Sequence, residues 1–491
     1  MLYFFKTYGF DILKKKSINK YSGKKNMRNR LDSLFGNATF YKKVAVIGLP
    51  IVIQNTITNF VELLDNVMVG RTGTDPMNAV SIVVQLIFVF NLCVWGFCCG
   101  AGIFTAQFYG KQDHKGVQHT FRAKFYIAGA ITLAFAIFFH YKADYFLMKF
   151  IHQSNDIGNP EATLAYAKQY LSIMIVAMIP FAISQAYTNT LRDIGETRIP
   201  MIAGICAVVV NLSLNYILIF GNFGAPKMGI MGAAIATCVS RFVENIIVIS
   251  WTHSHPDRCR FIVGAYSSPK IPPRLMKEIL IKGLPLGANE TFWALGITML
   301  NQNFSLRGLD VIGAISITST IANLFNVVLF ANGESISIIV GHLLGANEIK
   351  EAKKSATRMI SLSFFSYLIL CLILILCRNA FPAIYNTDQK IKELASIFIF
   401  QTAIFLPVNA LIHNCYFTVR TGGKTFITFL FDSVFTWVFL VPSAFILVRY
   451  TNLSIIAIYL LIKCWDLLKA AIGLLLVHKG VWLNCMVQEK S

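Results

Sequence analysis

Seven acids stand inside stretches of this 491-residue chain that are otherwise apolar: Glu62, Asp65, Glu244, Glu290, Glu334, Asp432 and Asp466. A carboxylate in hydrocarbon costs roughly 2.5–3.5 kcal/mol on insertion scales, so each one requires partners or a function. Asp65, near the far end of LPIVIQNTITNFVELLDNVMVG (residues 49–70), has the best-placed companions. Asn211 and Asn215, spaced i, i+4, share one helical face. Thr237 falls about 12 Å below the outer surface at 1.5 Å per residue, a depth similar to that of the other three. One carboxylate, two amide oxygens and a hydroxyl can hold a proton or coordinate a hard cation such as Na⁺. The three neutral groups also suit interhelical hydrogen bonding. The functional reading is preferred because a membrane carboxylate needs partners of some kind.

Glu290 follows Pro285 by five residues, where the first half of the chain has Asn55. It reads as a second protonatable group, as a counter-charge for a cationic substrate, or as a carboxylate that is paired with a nearby lysine or faces the cytoplasmic vestibule. Glu62 and Glu244 read as close to the outer edge or paired; Glu334, Asp432 and Asp466 carry no assignment. His140, His342 and His413 stand singly and read as structural. No hydrolase triad, phosphate loop or metal-ligand cluster occurs, and the eleven cysteines show no CxxC spacing. The chain therefore reads as no enzyme and as needing no cofactor beyond a coupling ion. Without a nucleotide-binding domain, transport must draw on an ion gradient or another subunit.

The elements that position these groups are membrane helices. Hydrophobic residues make up 55% of the chain and charged residues only 14%, against about 25% charged in soluble domains. The apolar runs are about 20 residues long, enough for a helix to cross hydrocarbon. Twelve spans are expected near 44–69, 79–104, 121–140, 164–187, 201–220, 229–251, 279–303, 312–338, 359–377, 392–416, 426–448 and 454–477. The net charge of +20 sits in the loops and the N-terminal arm, which argues for orientation rather than nucleic-acid binding. Basic residues concentrate in alternate loops: Lys111, Lys115, Arg122 and Lys124, then Arg192 and Arg198, then Arg258 to Lys277. This places both termini in the cytoplasm. No cleaved signal peptide is expected, and Met27 is an alternative start. The expected organisation is a basic cytoplasmic arm (1–43), an N-lobe (44–251), a cytoplasmic linker (252–278), a C-lobe (279–477) and a tail (478–491).

The two halves repeat. Pro50 matches Pro285 at an offset of 235, as AVSI at 79–82 matches AISI at 314–317 and Lys115 matches Lys350. RDIGET at 192–197 matches RTGGKT at 420–425 at an offset of 228. Six spans return the chain to the same side, so the repeats are parallel, as in transporters whose lobes rock about a central site.

These residues resemble the multidrug and toxic compound extrusion (MATE) family over roughly 44–480. The motifs are LPIVIQ…LLDNVMVG, TAQFYGKQD, RDIGETRIP, NLSLNYILIFG…MGIMGAAIAT, VGHLLGANE and RTGGKT. The resemblance implies an all-α integral membrane protein whose two six-helix lobes form a V around a central cavity. It implies export of amphiphilic or cationic organic compounds in exchange for H⁺ or Na⁺, from a monomer in the inner (plasma) membrane. The DinF-type prokaryotic branch carries an aspartate in span 1, an Asn-x-x-x-Asp pair in span 5 and a threonine in span 6. Asp65, Asn211 and Thr237 match that pattern. Asn215 stands where the branch often has Asp, which weakens the case for Na⁺ and favours H⁺. Other branches carry a glutamate in span 7, and Glu290 lies earlier than their motif places it. The alternative is a lipid-linked oligosaccharide flippase of the same superfamily, expected to need a cationic cavity and usually fourteen spans. Here Lys and Arg are expected to keep to loops, which favours efflux.

Overall fold

Two backbone positions 235 residues apart, Gln112 and Asn347, both adopt left-handed φ, 63° and 61°. They close the same tight turn in each half, although neither is glycine. Gly73 and Gly308 repeat φ of 124° and 128° at that offset. Gly195 and Gly423 are left-handed at the shorter offset of 228, with φ of 92° and 73°. The internal repeat is thus written in the turns as well as in the helices.

The computed structural model describes residues 36–153, 159–385 and 387–488. The first 35 residues of the basic arm, and residues 489–491 of the tail, lie outside that set. Twelve long helices are formed among the described residues. They are α1 (Ala38–Gly70), α2 (Thr74–Gly110), α3 (His114–Gln153), α4 (Pro160–Asp193), α5 (Arg198–Phe220) and α6 (Ile230–Ser254) in the first half. The second half supplies α7 (Pro273–Ser305), α8 (Leu309–Gly345), α9 (Ile349–Cys377), α10 (Gln389–Thr421), α11 (Thr425–Tyr450) and α12 (Ile455–His478). Ten are long and apolar enough to cross a membrane. The other two are α7, diluted by Asn289, Glu290, Asn301, Gln302 and Asn303, and α12, which carries Lys463, Asp466 and Lys469.

Local chemistry sets the helix ends. Asn159 caps α4 by accepting from the Glu161 and Ala162 amides, with Pro160 at the first helical position. Ser454 caps α12 through the Ala457 amide. Gly221, at φ 75°, ends α5. The expected loop at 141–163 is mostly helix, since α3 runs to Gln153 and no glycine or proline interrupts it before Gly158. α11 contains two π-helical turns, Leu430–Val434 and Thr436–Leu440, which no glycine or proline announces.

The described residues divide into two compact units, Leu49–Gly287 and those from Ala288 on together with the described residues before Leu49. The divisions fall inside α1 and α7, beside Pro50 and Pro285. In the first unit α7 begins against α2: a Cβ on Gly96 would stand 2.7 Å from the Gly287 Cα, and one on Gly100 2.5 Å from the Gly283 Cα. In the second unit, a Cβ on Gly48 would stand 2.9 Å from the Ser335 Oγ. Gly48 and Ser335 are the repeat mates of Gly283 and Gly100. The first unit's core gathers Val83, Phe90, Leu171, Met178 and Ile219; the second's gathers Tyr367, Leu374, Phe398, Ala403 and Ile458.

The linker after α6 is fastened to the first unit. Gln118 Nε2 donates to the carbonyls of Phe261 (3.2 Å) and Val263 (2.7 Å). Arg122 donates to those of Ala265 (2.7 Å), Gly264 (2.9 Å) and Lys270 (3.1 Å). Cys259, Phe261 and Ile262 are buried beneath, with Phe121 and Tyr187, and burial pushes the Cys259 thiol up to about 12.

Lys and Arg do not keep to the loops, contrary to expectation. Lys124 is buried in α3, donating to Asp193 Oδ2 (2.5 Å) and Thr190 Oγ1 (3.2 Å). Lys469 is buried in α12, and Arg241 in α6 pairs with Glu244 at 3.3 Å. Each has an acid within reach that supplies its counter-charge.

Candidate functional site

Among the described residues, each unit holds a polar cluster built on one or more of the acids singled out above. In the first unit, α1 brings Asp65, α5 brings Asn211 and Asn215, and α6 brings Thr237. Asn215 Nδ2 donates to Asp65 Oδ1 at 2.7 Å and to Asn211 Oδ1 at 3.2 Å. Asn211 Nδ2 lies 3.4 Å from Thr237 Oγ1. The i, i+4 spacing puts both amides on the buried face of α5, where Asn211 and Asn215 are among its few buried residues. All four residues read from the sequence as one group therefore lie together.

The Asn211 amide also lies 3.0 Å from both Asp65 oxygens, so amide groups of two α5 residues flank the carboxylate. Tyr170 of α4, buried, lies within electrostatic reach of Asp65. The sequence reading missed it, since one tyrosine in an apolar helix carries no marking.

The second unit's cluster is richer. α7 presents Asn289 and Glu290, α10 presents His413, Tyr416 and Arg420, α11 presents Asp432 and Ser433, and α12 presents Lys469. Lys469 Nζ donates to Asp432 Oδ1 at 2.6 Å. Asn289 Nδ2 donates to Asp432 Oδ2 at 3.0 Å and to the Tyr416 hydroxyl at 3.2 Å. Ser433 Oγ donates to the Asn289 carbonyl at 2.7 Å and to its Oδ1 at 2.8 Å. Glu290 accepts hydrogen bonds from Asn289 and Tyr416 and lies within electrostatic reach of Asp432 and Arg420. The widened π turn lets successive residues Asp432 and Ser433 both engage Asn289, and such turns frequently mark functional sites. The His413 ring packs against Phe330 (4.9 Å) and Phe417 (5.0 Å), within electrostatic reach of Asp432.

The remaining acids sort simply. Glu244 is paired with Arg241, and Asp466 lies within reach of Lys463 and Lys469. The Glu62 side chain lies outside the described ones. No group of three or more His, Cys, Asp or Glu suited to a metal ion occurs among the described residues. Of the second cluster the sequence assigns a role only to Glu290; it marks Asp432 as an acid without one and His413 as structural. Lys469 could have been found as a lysine mid-way along an apolar run.

Comparison with known proteins follows the same boundaries. The family model MatE matches residues 50–217 and 289–446. The probable multidrug resistance protein NorM of Bacillus licheniformis is 25% identical over 415 residues, spanning 84% of this chain and 89% of that protein. The protein of that name from Thermotoga maritima is 22% identical over 446 residues, spanning 90% and 93%. Among solved structures, a MATE crystallised in complex with MaL6 aligns with a TM-score of 0.79 at 16% identity, covering 92% of this chain and 98% of that one. An outward-facing multidrug resistance MATE family transporter of the MOP superfamily aligns at 0.80 and 17% identity, covering 92% and 97%.

Proposed function

The chain belongs to the MatE family of efflux transporters, and from that premise we propose an antiporter that exports amphiphilic or cationic organic compounds against H⁺ or Na⁺. The relatives' names, probable multidrug resistance proteins, support the substrate class. The observation that carries the coupling assignment is the Asp65–Asn215–Asn211–Thr237 chain, built on three helices around one carboxylate. The amide groups of Asn215 and Asn211 flank that carboxylate. Neutralising Asp65 by H⁺ or Na⁺ from outside removes its need for donors, and α1 then repacks to drive release. The ion shifts the equilibrium only by its differential affinity for the two states. Asn215 in place of a second acid favours H⁺. Glu290 is the second exchangeable carboxylate of this reading. The protein works as a monomer in the inner membrane with cytoplasmic termini, as the basic loops suggest.

A lipid-linked oligosaccharide flippase would use cationic groups in its cavity. Lys124 and Lys469 are buried cations, but Asp193 and Asp432 already engage them, so efflux remains the better reading.

The test is export of a fluorescent cation from proteoliposomes under separately imposed pH and Na⁺ gradients. Asp65→Asn is expected to abolish gradient-driven export while leaving the protein monodisperse. Undiminished coupled export by that variant would sink the assignment.

A further inference from the structure

Helices α7 and α11 are tied along their shared length by groups that do not titrate near neutral pH. Ser433 Oγ donates to the Asn289 carbonyl at 2.7 Å and the Trp437 indole to the Phe292 carbonyl at 2.8 Å. Arg449 Nη1 donates to Asn303 Oδ1 at 2.6 Å. Just beyond α7, Arg307 Nη2 donates to the carbonyls of Thr451 (2.6 Å) and Leu447 (3.2 Å). These are the last acceptors of α11, where a cation is favoured. The pairs 289–433, 292–437, 303–449 and 307–451 are 144 to 146 residues apart, so the two helices run parallel in one register. Each π turn of α11 carries one tie, Ser433 or Trp437. Asn289 Nδ2 also donates to Asp432 at 3.0 Å, but Ser433 holds Asn289 whatever the charge on that carboxylate.

The repeat mates in the first unit cannot copy this seam. Ile205 and Val209 stand for Ser433 and Trp437, and Gly221 stands for Arg449. Thr72 stands for Arg307, and its hydroxyl donates within α1, to the Val69 carbonyl at 2.7 Å. Between α1 and α5 the Asn215 amide instead meets the Asp65 carboxylate, a group that can be neutralised. We infer that α7 and α11 are one permanently zipped body, whose seam neither H⁺ nor Na⁺ opens. Ion exchange at Glu290 then leaves α7 on α11, and helix repacking is confined to α1. That last consequence rests on the coupling reading above.

The test measures distances by double electron–electron resonance on full-length protein in proteoliposomes. Leu306 and Tyr450, both exposed at the ends of the seam, are replaced by a ketone-bearing residue for spin labelling, which spares the cysteines. Arg71 and Asn222, their repeat mates, are labelled in a second protein. Spectra are taken at acidic and alkaline pH, in NaCl and in choline chloride. The 306–450 distance should be a single narrow peak that does not shift between conditions. Each bond to a guanidinium is worth roughly tenfold to a hundredfold in an equilibrium, so Arg307→Gln with Arg449→Gln should broaden that peak in every condition. Arg449→Gln alone repeats the test should the double variant fail to assemble. A wild-type 306–450 distance that shifts with pH or Na⁺ overturns the inference, as does an unchanged peak in the arginine variants. A 71–222 distance that never shifts would instead count against repacking of α1, and leave the α7–α11 result standing.

Discussion

The Asn215 amide nitrogen donates to Asp65 Oδ1 at 2.7 Å and to Asn211 Oδ1 at 3.2 Å, linking the α1 carboxylate to the buried face of α5. A hydrogen bond to a charged group contributes about 1.5–3 kcal/mol, or roughly tenfold to a hundredfold in an equilibrium. Asn215→Leu is therefore expected to lower gradient-driven export by at least about tenfold at unchanged expression. Asn215→Asp adds a second carboxylate and is expected to raise the Na⁺-driven share of export over the pH-driven share. Equal shares in wild type and Asn215→Asp would remove the argument that this position selects the ion.

Arg122 fastens the linker through three carbonyls. Arg122→Ala leaves those acceptors to water and opens the cover over Phe261 and Ile262. The variant should lose about 2–4 kcal/mol and become sensitive to trypsin at Arg258 and Arg260. Limited proteolysis followed by mass mapping reads this directly. A digestion pattern identical to wild type would show that Gln118 and the buried aromatic residues hold the linker unaided.

Cys259 lies in the same packed linker, its thiol pushed up from 9.0 to about 12 chiefly by burial, with Glu196 and Asp257 adding to it. Only the thiolate reacts with maleimide, so Cys259 should label far more slowly than the exposed Cys377 at neutral pH. Its contribution to stability runs in one direction. The folded value lies above the unfolded one, so the contribution is complete below pH 9 and is lost as pH rises toward 12. Labelling of Cys259 at neutral pH at the Cys377 rate would contradict the packing described.

Lys124, buried on α3, pairs with the partly buried Asp193 on α4. Lys124→Met leaves a carboxylate without its cation and is expected to cost about 3–5 kcal/mol, whereas adding Asp193→Asn should recover most of that loss. Thermal unfolding of the single and double variants measures the difference. If the double variant is no more stable than Lys124→Met, the pair is not the reason for the loss.

Much of this arrangement is legible in the sequence, for identifiable reasons. Register along a helix is arithmetic, so depth counted at 1.5 Å per residue brings Asp65, Asn211, Asn215 and Thr237 together. The repeat shows because tight turns need particular backbone conformations, and the same offset pairs Gly73 with Gly308 and Gln112 with Asn347. What spacing does not reveal is which helices become neighbours. Arg122 and Lys124 read as orienting charges at a loop, yet one clamps the linker and the other is sealed against Asp193. Lys469 and Asp432 are 37 residues apart and meet only because α11 packs on α12. The π turns that aim Asp432 and Ser433 toward Asn289 follow from tertiary packing, with no local residue to signal them.

Gly96 and Gly287 touch, yet the two should respond unequally to substitution. A Cβ on Gly96 points into the partner backbone, 2.7 Å from the Gly287 Cα, which cannot yield without moving α7. A Cβ on Gly287 would find its nearest neighbour, Phe97 Cε2, at 3.9 Å, an ordinary contact. Gly96→Ala is therefore expected to destabilise by about 1–3 kcal/mol through overpacking. Gly287→Ala should be neutral or stabilising by up to about 1 kcal/mol, because alanine is the better helix former. Melting temperatures of the two single variants decide the matter. Equal losses would mean that the seam between α2 and α7 depends on both glycines for backbone freedom rather than on one for space.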